Sequence, residues 1–509
     1  MRVLFASSEI YPLAKTGGLA DVSAALPIAL AGLGVDVRLV MPGYPEALDS
    51  AADVKVVAPC NDGGAAARVL SARLPDSGIP VWLVDCPALF KRSGGLYQNA
   101  EGEDWHDNHR RFALLSRVAA KIAAGEIVGD WRADVVHAND WHTGLLPLLL
   151  KRGDAAPATL FTIHNLAFQG LFPANALGEL RLPEELLGPD GIEFYGRISF
   201  LKAGVRYSDR FNTVSPTYAR EILTPEFGCG LDGLLNDRAG DLSGILNGID
   251  CAVWNPLSDP YLPARFDAHA MGGKHKCKAE LQRALALDVE PETPLVIWAS
   301  RLAHQKMADT ALQTMPSMLS MHDVQFALIG EGEPAFERGF AEMARAHPGR
   351  MAVRIGYEEA LAHRFYAAGD ILLHPSRFEP CGLTPQYAMR YGTVPVVTSV
   401  GGLTDTVRDA DEPALRAGTA TGFSFKEQTA PAMLACLERA LAAYAQPVTW
   451  RRLQRQAMSQ DFGWQASAAR YLALYRELAP LAPQVEAEIP LQPGAGETEE
   501  IAASPIAAA

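Results

Sequence analysis

The feature that most constrains this chain is a repeated unit. A short apolar run ends in a glycine- or charge-bearing tip, and a helical pattern follows. Arg2 to Ser8 runs into Lys15-Thr-Gly-Gly18 and then a helix expected to start at Asp21. Residues 134–144 (Asp134-Val-Val-His-Ala-Asn-Asp-Trp-His-Thr-Gly144) and 159–170 (with His164-Asn165 at the tip) repeat the unit. So do residues 295–306, which end in Arg301 and Lys306, and residues 325–334, 371–385 and 394–407. Buried strands alternating with helices predict an α/β chain with parallel sheets, and ligands bind at the carboxyl edge of such sheets. A polar, proline-rich stretch at residues 254–260 separates two runs of the unit. The expected domains are therefore residues 1–253 and 261–460, with a hinge at 254–260 between them.

Residues 371–385 concentrate chemistry. Arg377, Glu379 and Cys381 precede a helix opening at Gly382-Leu383-Thr384, whose free backbone N–H groups suit an anion. On the residues alone, Glu379 reads as an acid or a nucleophile and Cys381 as a nucleophile. Lys15-Thr-Gly-Gly18 matches neither a Walker loop nor a dinucleotide fingerprint. Its lysine beside paired glycines at a strand's end nevertheless suits a pyrophosphate. His137, Asp140 and His142 raise the question of a metal, but histidines five apart on a strand-to-loop tip are poor ligand geometry, and no metal is expected.

A net charge of −14 argues against nucleic-acid or anionic-membrane partners, although local lysines still allow a phosphate-bearing ligand. Seven scattered cysteines with no C-x-x-C spacing, and a first strand with no leader before it, lead to the expectation of a cytoplasmic protein. Residues 479–509, rich in Pro, Ala and Glu, are expected to be a disordered acidic tail.

An ordered set of motifs carries a resemblance. Lys15-Thr-Gly-Gly-Leu-Ala-Asp21, His137-Ala-Asn-Asp-Trp-His142, Phe161-Thr-Ile-His-Asn165, Thr224-Pro-Glu-Phe-Gly-Cys-Gly-Leu-Asp232, Asn247-Gly-Ile-Asp250 and Pro375-Ser-Arg-Phe-Glu-Pro-Cys-Gly-Leu383 resemble those of bacterial glycogen synthases and plant starch synthases. The likeness runs to about residue 478. It implies a GT-B architecture of two Rossmann-like domains, with a helix at 461–478 crossing back to the first. It also implies retaining transfer of glucose from ADP-glucose to the non-reducing end of an α-1,4-glucan such as glycogen, without a cofactor.

Residue by residue, the resemblance puts Lys15, Gly18, Arg301, Lys306, Leu383 and Thr384 at the donor phosphates, Tyr357 against the adenine, and Asp21 on the nucleotide side. Asp140, His164, Asn165, Asn247, Glu379, Cys381 and Gly382 are placed around the transferred glucose, and Tyr97 near the acceptor channel. Lys15, His164, Arg301, Lys306 and Glu379 form the implied catalytic set. The chain departs from the family at Met307, where glycine is usual after the lysine, at Cys277 and at Pro385. Rival readings are a pyridoxal-phosphate phosphorylase, a catalytically silent glucan-binding protein and a synthase with a small sugar acceptor.

Overall fold

The computed structural model describes residues 1–60, 66–153 and 156–480. The expected tail lies, from residue 481 onward, outside the described residues. Two sheets organise two lobes. The first has nine strands in the order Leu242–Gly244, Arg210–Thr213, Ala158–Ile163, Val135–Asn139, Arg2–Ala6, Asp36–Pro42, Pro80–Asp85, Arg68–Arg73 and Ala52–Pro59. All its pairings are parallel except the last two, which are antiparallel. The second sheet is wholly parallel, in the order Met351–Ile355, Gln325–Gly330, Leu295–Ala299, Ile371–His374, Val394–Thr398 and Phe423–Phe425.

The central strands are apolar without alternation because helices cover both of their faces. Val3, Leu4, Phe5 and Ala6 have no exposed surface, and neither do Leu295, Val296, Ile297 and Trp298. In each sheet the chain builds outward from one central strand and then returns to its other side. The order therefore reverses between Arg2–Ala6 and Val135–Asn139 in the first lobe, and between Leu295–Ala299 and Ile371–His374 in the second. Those reversals open a crevice at the carboxyl ends of the strands. They set the loop that follows Arg2–Ala6 next to the one that follows Val135–Asn139, and Lys306 beside the Glu379 loop.

Some elements differ from expectation. The first helix begins at Gly18, with extended Gly17 before it, so Asp21 lies in the first turn and is not the cap. A carboxylate there favours the unpaired N–H groups of that turn. The helix Phe200–Tyr207 is capped by the Ser199 hydroxyl. Before it, Glu193–Phe194 and Arg197–Ser199 form a hairpin because Tyr195 and Gly196 both adopt positive φ, the geometry of a tight two-residue turn.

Residues 254–260 pack on the second lobe. The Trp254 ring lies flat against His363 (3.9 Å, 9°) and Tyr387 (3.9 Å, 20°), and Asp259 accepts from His363 and Tyr391. Just upstream, the Ile249 N–H donates to the Phe462 carbonyl at 2.8 Å. The two chain passages between the lobes therefore run side by side. The last helix, Trp464–Leu478, returns to the first lobe, where Tyr471 and Tyr475 are fully buried. Tyr475 Oη lies 2.8 Å from His137 Nδ1, and Tyr471 Oη accepts from Asn212 at 3.0 Å. Since both partners are buried, Tyr475→Phe leaves the His137 nitrogen unsatisfied. It is expected to cost about 1–3 kcal/mol, visible as a lower thermal midpoint. An unchanged midpoint would show that the returning helix is not anchored through this bond.

Candidate active site

In the second lobe the strand Ile371–His374 ends at Pro375, and the chain loops to Gly382, whose positive φ opens the helix Leu383–Arg390. Within that loop Glu379 is 7% exposed. Its Oε2 pairs with Lys306 Nζ, accepts from the Ser376 hydroxyl at 2.8 Å and lies 3.4 Å from His374 Nε2. Burial alone would raise the Glu379 carboxyl. The Lys306 ammonium and the His374 ring outweigh it and hold the group well below the usual carboxylate range. An ammonium has three N–H donors. Lys306 directs one at Glu379, and its Nζ lies 3.5 Å from His374 Nε2, the nitrogen that also faces Glu379.

Met307 occupies the left-handed region (φ +54°), where glycine is favoured, yet its side chain is fully buried in the core under the sheet. It points away from the cleft. Lys306 still reaches Glu379, so the missing glycine is absorbed by backbone strain and not by displacement of the lysine. Arg301 is exposed, 3.3 Å from Gln305 Oε1. Arg377, read from the sequence as a cation facing the site, is instead committed to both Asp309 carboxylate oxygens at 3.0 and 2.9 Å. Cys381 is buried, and burial pushes its thiol up to about 12, which removes it as a nucleophile. Thr384 lies in the first turn of that helix beside Tyr366, and Tyr357 stands 58% exposed just beyond the strand Met351–Ile355.

In the first lobe Lys15 Nζ lies 2.8 Å from Asp21 and 3.7 Å from Glu359 of the opposite lobe. Burial alone would lower the Lys15 ammonium's affinity for its proton, but the two carboxylates together raise it. A methyl group on Gly18 would come within 3.3 Å of Leu383 Cδ1. The glycine loop therefore meets the N-terminus of the helix Leu383–Arg390 across the cleft. Glu9, which sequence reasoning passed over, holds this loop: its carboxylate accepts the N–H groups of Thr16 and Gly17, with Tyr97 beside it. Burial pushes Glu9 up to about 7 against those bonds. Its signal was an acid at the end of an otherwise apolar strand. Tyr97 also bonds the Ser8 hydroxyl at 2.8 Å and stacks on His142 at 4.4 Å.

Asp140 adopts φ +60°, is 6% exposed, and has a buried Oδ1 with no hydrogen-bond partner among the described residues. Burial pushes its carboxyl up to about 8, with the neighbouring backbone N–H groups of His164, Trp141 and Asn165 pulling it down. His164 is held neutral, its value lowered to about 3 by burial, with Nε2 3.0 Å from Asn139 Oδ1. Asn165 accepts from the Ala167 N–H, which shapes the turn after His164. Asn247 is buried beneath the loop beside Cys381, and its backbone carbonyl accepts from Gln386 at 3.4 Å. His137 belongs elsewhere, in the buried network with Thr162 and Tyr475.

The structure thus brings Lys15, Gly18 and Asp21 against Leu383, and it gathers Lys306, Glu379, Gly382, Cys381 and Asn247 on the facing side. Asp140, His164 and Asn165 line the first lobe's own crevice. His374, Ser376, Glu359 and Glu9 join them without having been anticipated.

Two Rossmann-like lobes whose switch points face each other across a cleft of cations, carboxylates and helix N-termini define a GT-B glycosyltransferase. A profile of the starch synthase catalytic domain matches residues 2–237, and one of group 1 glycosyl transferases matches residues 293–442. The glycogen synthase of Burkholderia thailandensis is 53% identical over 94% of this chain and 90% of its own length. That of Paramagnetospirillum magneticum is 52% identical over 94% and 98%. The catalytic domain of starch synthase IV from Arabidopsis thaliana, solved bound to ADP and acarbose, superposes with a TM-score of 0.86 at 33% identity, covering 94% of this chain and 99% of that one. Sucrose-phosphate synthase from Thermosynechococcus elongatus, at 19% identity and a TM-score of 0.59, shares the fold. The chain belongs to the glycogen synthase family.

The Asp140 carboxyl carries a pH signature. Unfolded aspartate loses its proton near pH 4, whereas folded Asp140 keeps its own up to about 8. The folded state therefore binds the extra proton across that window, and Asp140 subtracts stability progressively as pH rises from about 4 to about 8. The gap in thermal midpoint between Asp140→Asn and the parent chain is expected to widen over that range and to level off above it. A gap independent of pH would contradict the assignment.

Proposed function

We propose that this chain elongates an α-1,4-glucan, moving glucose from ADP-glucose to the non-reducing end of glycogen with retention and releasing ADP. The observation that carries the reading is the meeting of the Lys15 loop with the Leu383 helix beside the Lys306–Glu379 pair. The starch synthase neighbour of known structure was solved with ADP. In this reading residues 1–253 hold the acceptor, near Tyr97, and residues 261–460 hold the donor.

Lys15, Arg301, Lys306 and the N–H groups of Leu383 and Thr384 offset the charge that grows on the departing diphosphate. That much positive charge needs no metal. Gly18 lets the backbone approach the phosphates, Asp21 orients Lys15, and Tyr357 offers an exposed ring to the adenine. Glu379 holds the hydroxyls of the transferred glucose and balances a cationic anomeric centre, while Asn247, Cys381 and Gly382 wall the sugar. Asp140, His164 and Asn165 lie on its other side.

Retention through a covalent glycosyl intermediate needs an ionised carboxylate free to attack the anomeric carbon. Burial favours the protonated form of Asp140, and Glu379 is ionised but tied to Lys306, Ser376 and His374. Both facts support a front-face displacement, in which the leaving phosphate oxygen takes the acceptor's proton and the His164 backbone carbonyl faces the anomeric centre. We place the protein in the cytoplasm, a reading supported by Cys86, Cys229, Cys251, Cys277, Cys381 and Cys436, all thiols and none in a disulfide.

Labelled glucose transfer to glycogen from ADP-glucose and UDP-glucose in parallel tests the donor. ADP-glucose is expected to be faster by at least about tenfold, a difference of about 1.4 kcal/mol at the transition state. Equal rates would overturn it. Cys381→Ser is expected to keep kcat within about threefold, since a buried neutral thiol supplies shape and not charge. A loss of about a thousandfold would return Cys381 to the chemistry.

A further inference from the structure

Two short helices, one from each lobe, clasp one another through their carboxylates. In the first lobe the helix Pro216–Glu221 begins after Ser215, and in the second the helix Gly401–Thr406 follows the strand Val394–Thr398. Glu221 Oε1 accepts the backbone N–H of Gly401 at 2.9 Å. Reciprocally, Asp405 accepts the Thr217 backbone N–H at 2.8 Å and its hydroxyl at 2.7 Å. Each helix therefore has its first N–H groups satisfied by a side chain of the opposite lobe, and both bonds exist only while the lobes are together. The second Glu221 oxygen is buried with no hydrogen-bond partner among the described residues, so the carboxylate is held in a slot shaped around this one bond.

What lies beneath the clasp is the sugar-binding loop. The Gly402 N–H donates to the Glu379 carbonyl at 3.0 Å. Gly401, at φ +45°, sits so close that a methyl group there would fall 1.9 Å from that same carbonyl oxygen. A methyl group on Gly402 would fall 2.2 Å from the Cys381 carbonyl. Two glycines thus bring the backbone of one turn flush against residues 379–381, and Glu221 holds that turn from the far lobe.

We propose that Glu221 is a positioning residue for Glu379, acting across the cleft through Gly401 and Gly402, and that Asp405 with Thr217 completes a clasp coupling lobe closure to the geometry of the sugar-binding loop. The reading rests on the glucosyl transfer proposed above. Hydrogen bonds of this kind weaken steeply within about 1 Å of lengthening. Opening the lobes therefore releases the floor under Glu379, and the loop is held for chemistry only when the donor is enclosed.

The test compares Glu221→Ala with Glu221→Gln, whose amide oxygen still accepts from Gly401, and with Asp405→Ala, an exposed position that is safe for folding. Rates are measured with ADP-glucose and glycogen. Glu221→Ala is expected to lower kcat about tenfold with the donor KM changed less than about threefold, the pattern of an interaction needed only at the transition state. Glu221→Gln is expected to stay within about threefold of the parent. Asp405→Ala should resemble Glu221→Ala, and the double variant should be no worse than about twofold beyond either, because one broken contact opens the same clasp.

Parent-like kcat in Glu221→Ala, a Gln variant as slow as the Ala variant, or losses that multiply in the double variant would each overturn the proposal. Solution scattering with ADP present reads the clasp without turnover. The double variant should show a larger radius of gyration than the parent, and an unchanged radius would sink the clasp. A parent chain that transfers nothing from ADP-glucose would instead sink the proposed donor, leaving the scattering result to decide the clasp.

Discussion

Everything at the centre of this molecule depends on one buried ion pair, Lys306 with Glu379. Desolvating two charges costs more than most such pairs return, and an apolar pair of similar volume is often at least as stable. The fold accepts that cost and surrounds the carboxylate with Ser376 and His374, so that Glu379 stays ionised where burial would neutralise it. A carboxylate kept ionised in a buried place is electrostatically preorganised, and such a group acts most strongly where water is excluded.

The first lobe is built on the opposite principle. There Asp140 is buried without a cation and Glu9 is buried against backbone N–H groups, so both acids are raised. Glu9 is spent on shaping the glycine loop. At Asp140 burial favours the neutral form. Two carboxyl groups facing one cleft are thus set to different protonation states by their neighbours alone. The lobes meet where Lys15 reaches Glu359 and where Gly18 meets Leu383, so the complete charge pattern exists only with both lobes in place.

How much of this could be read in advance follows from the range of the interactions. Lys15, Lys306, Glu379 and the Leu383 helix start were legible because each depends on local grammar: a strand that stops, a glycine that turns, a helix that opens. The parallel part of the first sheet and the wholly parallel second sheet were legible for the same reason, through uninterrupted apolar runs. His374 was not, because it sits at the end of a buried strand and faces a cluster that includes Lys306, 68 residues away. Arg377 was taken for a site cation because its partner Asp309 lies equally far along the chain. Glu221 and Glu359 act across the cleft, where no local pattern reaches. The start of the first helix was placed late because a glycine before it, with no side chain to cap, left no signal.

The claim underlying all of this is that one cleft, assembled from both lobes, seats a nucleoside diphosphate against Lys306 and the helix at Leu383. A crystal structure of this chain grown with ADP tests it most directly. The account predicts the diphosphate within hydrogen-bond distance of Lys306, Arg301 and the N–H groups of Leu383 and Thr384, with the adenine on Tyr357. ADP bound elsewhere, or in the cleft with its phosphates turned away from Lys306, would contradict it.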